Sequence, residues 1–170
     1  MSLTTIESIE SDPKRRLSII ESWTELPELI TANQGEEGID KVIEWALSAG
    51  VGIEACILST ADAEKFVRSR LRERCRRILL EAMDPNPEVA LRDITEMGAI
   101  LDFHAIKTEQ FHHGFDGSCW AVFARALDSG HGLRTGLEDV AVLEDGRLAS
   151  SNHELVEATV AMARRKGRLP

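Results

Sequence analysis

GHGLRTGLEDVAVLEDGRLASSNHELVEATVAMARRKGR (130–168) reads as a short strand, a loop and a helix. The helix end of this reading is well marked. Ser151, Asn152, His153 and Glu154 have the S-x-x-E form of a capping box. Arg164, Arg165 and Lys166 followed by Gly167 are what a helix C-terminus should carry, cations against the dipole and then a residue free to turn left-handed. The strand end is stranger. LRTGLED (133–139) places Arg134, Glu138 and Asp139 where a plain core strand would pay for burying charge.

Working back toward the N-terminus, the same rhythm recurs. SLTT (2–5) favours a strand, and DPKRRLSIIESWTEL has Leu17, Ile20 and Trp23 at helical spacing with Pro13 in the first turn. ELITAN (28–33) is a compact strand, and GIDKVIEWALSAG is an amphipathic helix that stops at Gly50. VGIEACIL (51–58) reads as a buried strand, followed by a helix capped by Ser59 or Thr60 and running to about Cys75. RRILLEAM (76–83) is the next strand and PEVALRDITEMGAIL the next helix. DFHAIKTEQ has no clear pattern. FHHG ends a strand, and SCWAVFARALDSG is a helix that stops at Gly130. Strand–helix alternation with short loops argues for a parallel sheet covered by helices. The fold class is therefore α/β, of the (β/α)8 TIM-barrel type but incomplete, with about six βα units in a single domain over 1–170. There is no GxGxxG and no P-loop.

Composition narrows the function. Of 170 residues, 43% are hydrophobic and 29% charged, the balance of a globular protein. A net charge of -9 gives no basic field for nucleic acid or an anionic membrane. The arginine-rich run RSRLRERCRR (68–77) is read as a solvated helix face. Three scattered cysteines make neither a disulfide framework nor a zinc cluster. No signal segment or membrane-length apolar run is present, so cytoplasmic residence is expected.

Arg134, Gly136 and Glu138 would share one face of a strand, with Glu138 at the C-terminal mouth of the barrel and Arg134 about 13 Å lower. Gly136 would leave room for a ligand, and Asp139 could turn toward the mouth. Barrel active sites are built on that rim. A buried Arg–Glu pair without chemistry explains the spacing equally well. Thr31, Asn33, Glu54 and Glu81 also lie in or at the ends of strands, as a set more suggestive than any one of them. His112 and His113 point to opposite strand faces, a poor chelating pair, and one of them could line the site. His104, His131 and His153 read as loop or cap residues. No serine has a G-x-S-x-G setting.

The string RTGLED (134–139), with DGRLASSNHELVEATVAMARRKGR (145–168) after it, resembles the C-terminal signature of the β-keto acid cleavage enzymes. These include the 3-keto-5-aminohexanoate cleavage enzyme. The likeness continues through HHGFDGSCW (112–120), GVGIEA (50–55), PELITAN (27–33) and DPKRRL (12–17), and so over essentially the whole chain. The resemblance implies a zinc-dependent (β/α)8 barrel that converts a β-keto acid and acetyl-CoA into acetoacetate and a new acyl-CoA. It implies Glu138 as a zinc ligand and Arg134 with Asp139 as a catalytic dyad. Thr31 matches a substrate-contacting threonine, and Thr4 stands where the family usually has a serine. Asn33 and Glu54 complete the expected substrate-binding set.

The sequence departs from the family in one respect: the H-x-H motif that supplies two zinc ligands is absent. Residues 2–5 match the family's third strand, so the two preceding βα units are expected to be missing, with two open sheet edges and self-association, as a homo-oligomer, following from that. Three accounts stay open: a clipped cleavage enzyme, a non-catalytic barrel remnant serving as a binding module, and half of a split enzyme.

Overall fold

A computed structural model of the chain describes residues 2–169. Among these, six strands alternate with six α-helices: β1 Ser2–Thr4, α1 Pro13–Glu21, β2 Leu29–Asn33, α2 Ile39–Ser48, β3 Gly52–Ile57, α3 Thr60–Arg68, β4 Arg77–Ala82, α4 Pro87–Phe103, β5 Gln110–Gly114, α5 Cys119–Asp128, β6 Gly132–Leu133 and α6 Asn152–Arg165. Strand order is β1-β2-β3-β4-β5-β6. The β1–β2, β2–β3 and β5–β6 ladders are parallel. This is the α/β fold expected, an incomplete barrel of βα units. No helix of the described residues is long and apolar enough to cross a membrane.

The chain divides into two compact units. The first comprises the chain up to Leu79 together with Ala99–Glu109, the second Leu80–Gly98 together with the chain from Gln110 onward. In the first, Asp12 caps α1 by accepting from the Lys14 and Arg15 amides at 2.9 and 2.8 Å, and Pro13 fills a first-turn position whose amide needs no partner. Strands β2 and β3 are buried along almost their whole length, as parallel strands covered on both faces must be. In the second unit, α5 and α6 close on a core of Phe123, Leu127, Val140, Leu143, Leu155 and Met162. Ser151 caps α6 through the Glu154 amide. The Glu154 carboxylate reaches Ser150 rather than returning to the cap residue.

Two expectations need correction. The helix expected to run to about Cys75 ends at Arg68, where Ser69 turns extended, and only a short 3₁₀ turn, Arg72–Arg74, follows. The arginine run is therefore not one helix face; Arg68 pairs with Glu64 and Arg70 with Glu44. The strand expected over 133–139 ends at Leu133. Beyond it, the carbonyl of Gly136 accepts from the amides of Asp139 and Val140, at 3.0 and 3.1 Å, and the chain turns. Arg134 and Glu138, about 13 Å apart on an extended strand, instead touch.

Candidate functional site

The second unit gathers a titratable group at its strand ends. Glu81 projects from β4, His113 from β5, and Asp139 from the turn after β6. The imidazole Nδ1 of His113 lies 3.1 Å from Glu81 Oε1, and its Nε2 lies 2.9 Å from Asp139 Oδ2. Neither ring N–H points straight at its oxygen, so these are ion pairs rather than aligned hydrogen bonds. The ring is 2% exposed, the two carboxylates 18% and 12%. Burial alone pulls a histidine's pKa down, but Asp139 and Glu81 outweigh it and lift His113 to about 9.

Local structure holds this arrangement in place. A side-chain carbon at Gly114 would come within 2.9 Å of the Cys119 backbone, so only glycine lets β5 run this close to the start of α5. The Asp139 carbonyl accepts from the Asp116 amide at 2.7 Å, tying the two loops together. Burial first, then the charges of Asp139 and Asp116, push the Cys119 thiol up to about 12, which keeps it protonated at neutral pH. Arg134 donates from Nη2 to Glu138 Oε1 at 3.1 Å, and Glu138 is 71% exposed.

On the opposite face of β5, His112 is buried and stacks against His131 with ring centroids 4.8 Å apart. Neither of its nitrogens has a hydrogen-bond partner among the described residues. Burial first, then the neighbouring His131 and Arg125, takes it down to about 3. Of the histidine pair, it is His113 that joins the acidic side chains.

The first unit holds the expected substrate-binding residues. Register places Thr4 beside Thr31 and Thr31 beside Glu54, one rung across three strands. Thr31 donates to Glu54 Oε1 at 3.0 Å, and its carbonyl accepts from Thr5 at 2.9 Å. Arg77 pairs with the other Glu54 oxygen. Thr4 is exposed, its hydroxyl accepting from the Ile6 amide, and it borders a cavity of about 420 Å³ with Ile6, Ile20, Trp23 and Arg16. Asn33, two residues beyond Thr31 and so on the same face, donates to Glu36 Oε1 at 2.8 Å. Glu36 in turn faces Arg16 Nη1 at 3.1 Å in a buried pair.

The Arg16–Glu36 pair and the grouping of Glu81 with His113 and Asp139 were not foreseen from sequence. One signal existed for Arg16. It stands four residues before Ile20 on α1, and these are the two residues that the helix buries. Arg16 lies too far from Glu36 in sequence, and Glu81 and Asp139 too far from His113, for any local pattern to connect them.

The zinc implied by the resemblance has a poor donor set here. Among the described residues no three His, Cys, Asp or Glu side chains are grouped as a metal site. Glu138 is exposed and carries Arg134, and His113 faces a carboxylate at each nitrogen. The donors present do not fit a zinc centre.

The family model of the beta-keto acid cleavage enzymes matches residues 82–170, just over half of the chain. His113, Arg134, Glu138 and Asp139 fall inside the match; Glu81 immediately precedes it. Comparison with curated proteins found no match.

Proposed function

The chain belongs to the beta-keto acid cleavage enzyme family, and on that premise we propose that it exchanges a β-keto acid with acetyl-CoA to give acetoacetate and a new acyl-CoA. The observation that carries this reading is the Asp139 carboxylate, held against a buried imidazole at 2.9 Å and only five residues beyond Arg134. Asp139 takes the proton from the carbon between the keto and carboxylate groups. The resulting enolate forms a bond to the acetyl carbon and CoA leaves as thiolate. The thiolate then adds to the original keto carbon, the bond from that carbon to its former neighbour breaks, and the electron pair stays with the acetoacetate enolate. Asp139 returns the proton. Arg134 supplies the fixed positive charge that steadies the enolate. Thr4, Thr31, Asn33 and Glu54 are proposed to contact substrate. Zinc, for which the resemblance implies Glu138 as a ligand, takes no step in this proposal, since the described residues hold no group of three ligands. Cytoplasmic residence, homo-oligomeric assembly and the role of the chain as the C-terminal portion of one barrel domain complete it.

The test is to incubate the protein with acetyl-CoA and a panel of β-keto acids, 3-keto-5-aminohexanoate first, and to quantify products by mass spectrometry. Acetoacetate and the matching acyl-CoA should appear in equal amounts, and Asp139→Asn should reduce turnover at least 10²-fold, the usual scale for losing a general base. Absence of both products across the panel would leave the non-catalytic binding module as the better reading.

A further inference from the structure

We propose that His113 is the positioning residue of this site: from behind, it holds the inner oxygen of Asp139, while Glu81 holds the opposite edge of the same ring. The inference rests on the cleavage reading and deepens it. His113 is too deeply buried to meet a substrate, whereas both carboxylates retain some exposure. Asp139 Oδ2 is wholly buried against the ring, so the exposure of that side chain belongs to its other atoms. The main chain of Asp139 is also committed, its amide to Gly136 and its carbonyl to Asp116. With Oδ2 pinned in this way, Oδ1 is the oxygen assigned to the chemistry. Glu81 fixes the rotation of the ring, and without it Nε2 would have no reason to face Asp139.

Two near-isosteric replacements separate positioning from plain structural support. The amide nitrogen of glutamine falls near the place of Nε2, and that of asparagine near Nδ1. His113→Gln should therefore keep the contact to Asp139, and His113→Asn should keep only that to Glu81. We expect His113→Asn to lower kcat about 10²-fold with KM little changed, the cost of a carboxylate misplaced by about an ångström, and His113→Gln to stay within about tenfold of the parent. Independently of turnover, the ¹³Cγ resonance of Asp139, assigned by its loss in Asp139→Asn, should move further in His113→Asn than in His113→Gln, since both lose the cationic ring but only glutamine keeps a donor near Nε2. Equal behaviour of the two variants in that resonance would overturn the proposal. A parent protein that makes no acetoacetate, yet shows the expected resonance pattern, would overturn the cleavage reading and leave the positioning geometry standing.

Discussion

On one face of β5 the protein surrounds a buried imidazole with two carboxylates, and on the other face, one residue earlier, it buries an imidazole with no carboxylate against it. His113 is raised to about 9 and His112 is lowered to about 3, although the same strand carries both and both are almost wholly buried. Burial acts on both rings in the same direction. What differs is the company: Glu81 and Asp139 on one side, His131 and Arg125 on the other. A buried cation is tolerated when it is paired. A buried imidazole without such partners stays neutral, because the neutral form avoids most of the desolvation cost.

The harshest way to break this contrast is to force a charge onto the uncompensated face. His112→Lys should destabilise the protein by about 3 kcal/mol or more, since the ammonium must either stay charged without a partner or give up its proton. A urea midpoint unchanged from the parent would contradict the account of that face.

The pH dependence of the parent should show both faces at once. His113 binds its proton more tightly folded than unfolded, so its contribution is complete below the unfolded value of about 6.5 and is lost as pH rises through about 9. His112 binds its proton less tightly folded, so its contribution is complete above about 6.5 and declines as pH falls toward 3. These two groups together give a stability that falls on both sides of about pH 6.5. In Glu81→Gln the alkaline limb should flatten while the acid limb persists, which denaturation at pH 6.5 and 9 would show. An unaltered alkaline limb would mean that Glu81 does not hold the proton on His113.

The mildest change sharpens the comparison most. His112→Leu removes two nitrogens that have no hydrogen-bond partner among the described residues, so stability at neutral pH should change by no more than about 1 kcal/mol. Its acid limb should flatten. A loss of several kcal/mol would show that the ring is held by more than packing.

Much of this was legible in the chain itself. The alternation of strand and helix, the Ser59 and Ser151 caps and the stops at Gly50, Gly130 and Gly167 depend on neighbours a few residues away, and each appears where local chemistry requires it. Of the rung of Thr4, Thr31 and Glu54, the sequence marks Thr31 and Glu54 as polar strand residues and Thr4 through the family resemblance alone. Their alignment is a matter of register between strands. Sequence alone places Arg134 and Glu138 on one strand over LRTGLED. Gly136 overrides that pattern: its carbonyl collects two amides and bends the chain.

The period of two in FHHG was enough to send His112 and His113 to opposite faces, since it is a property of the extended backbone alone. Which face would hold the acids was not in that pattern. Glu81 and Asp139 reach His113 from 32 residues before it and 26 after, and only the folded arrangement of strand ends brings them within 3.1 and 2.9 Å. Local sequence determined the elements and their order, because hydrogen bonds and caps close over a few residues. Tertiary structure decided the opposite titration of His112 and His113, because electrostatic environment is set by whatever lies within a few ångströms, however distant in the chain.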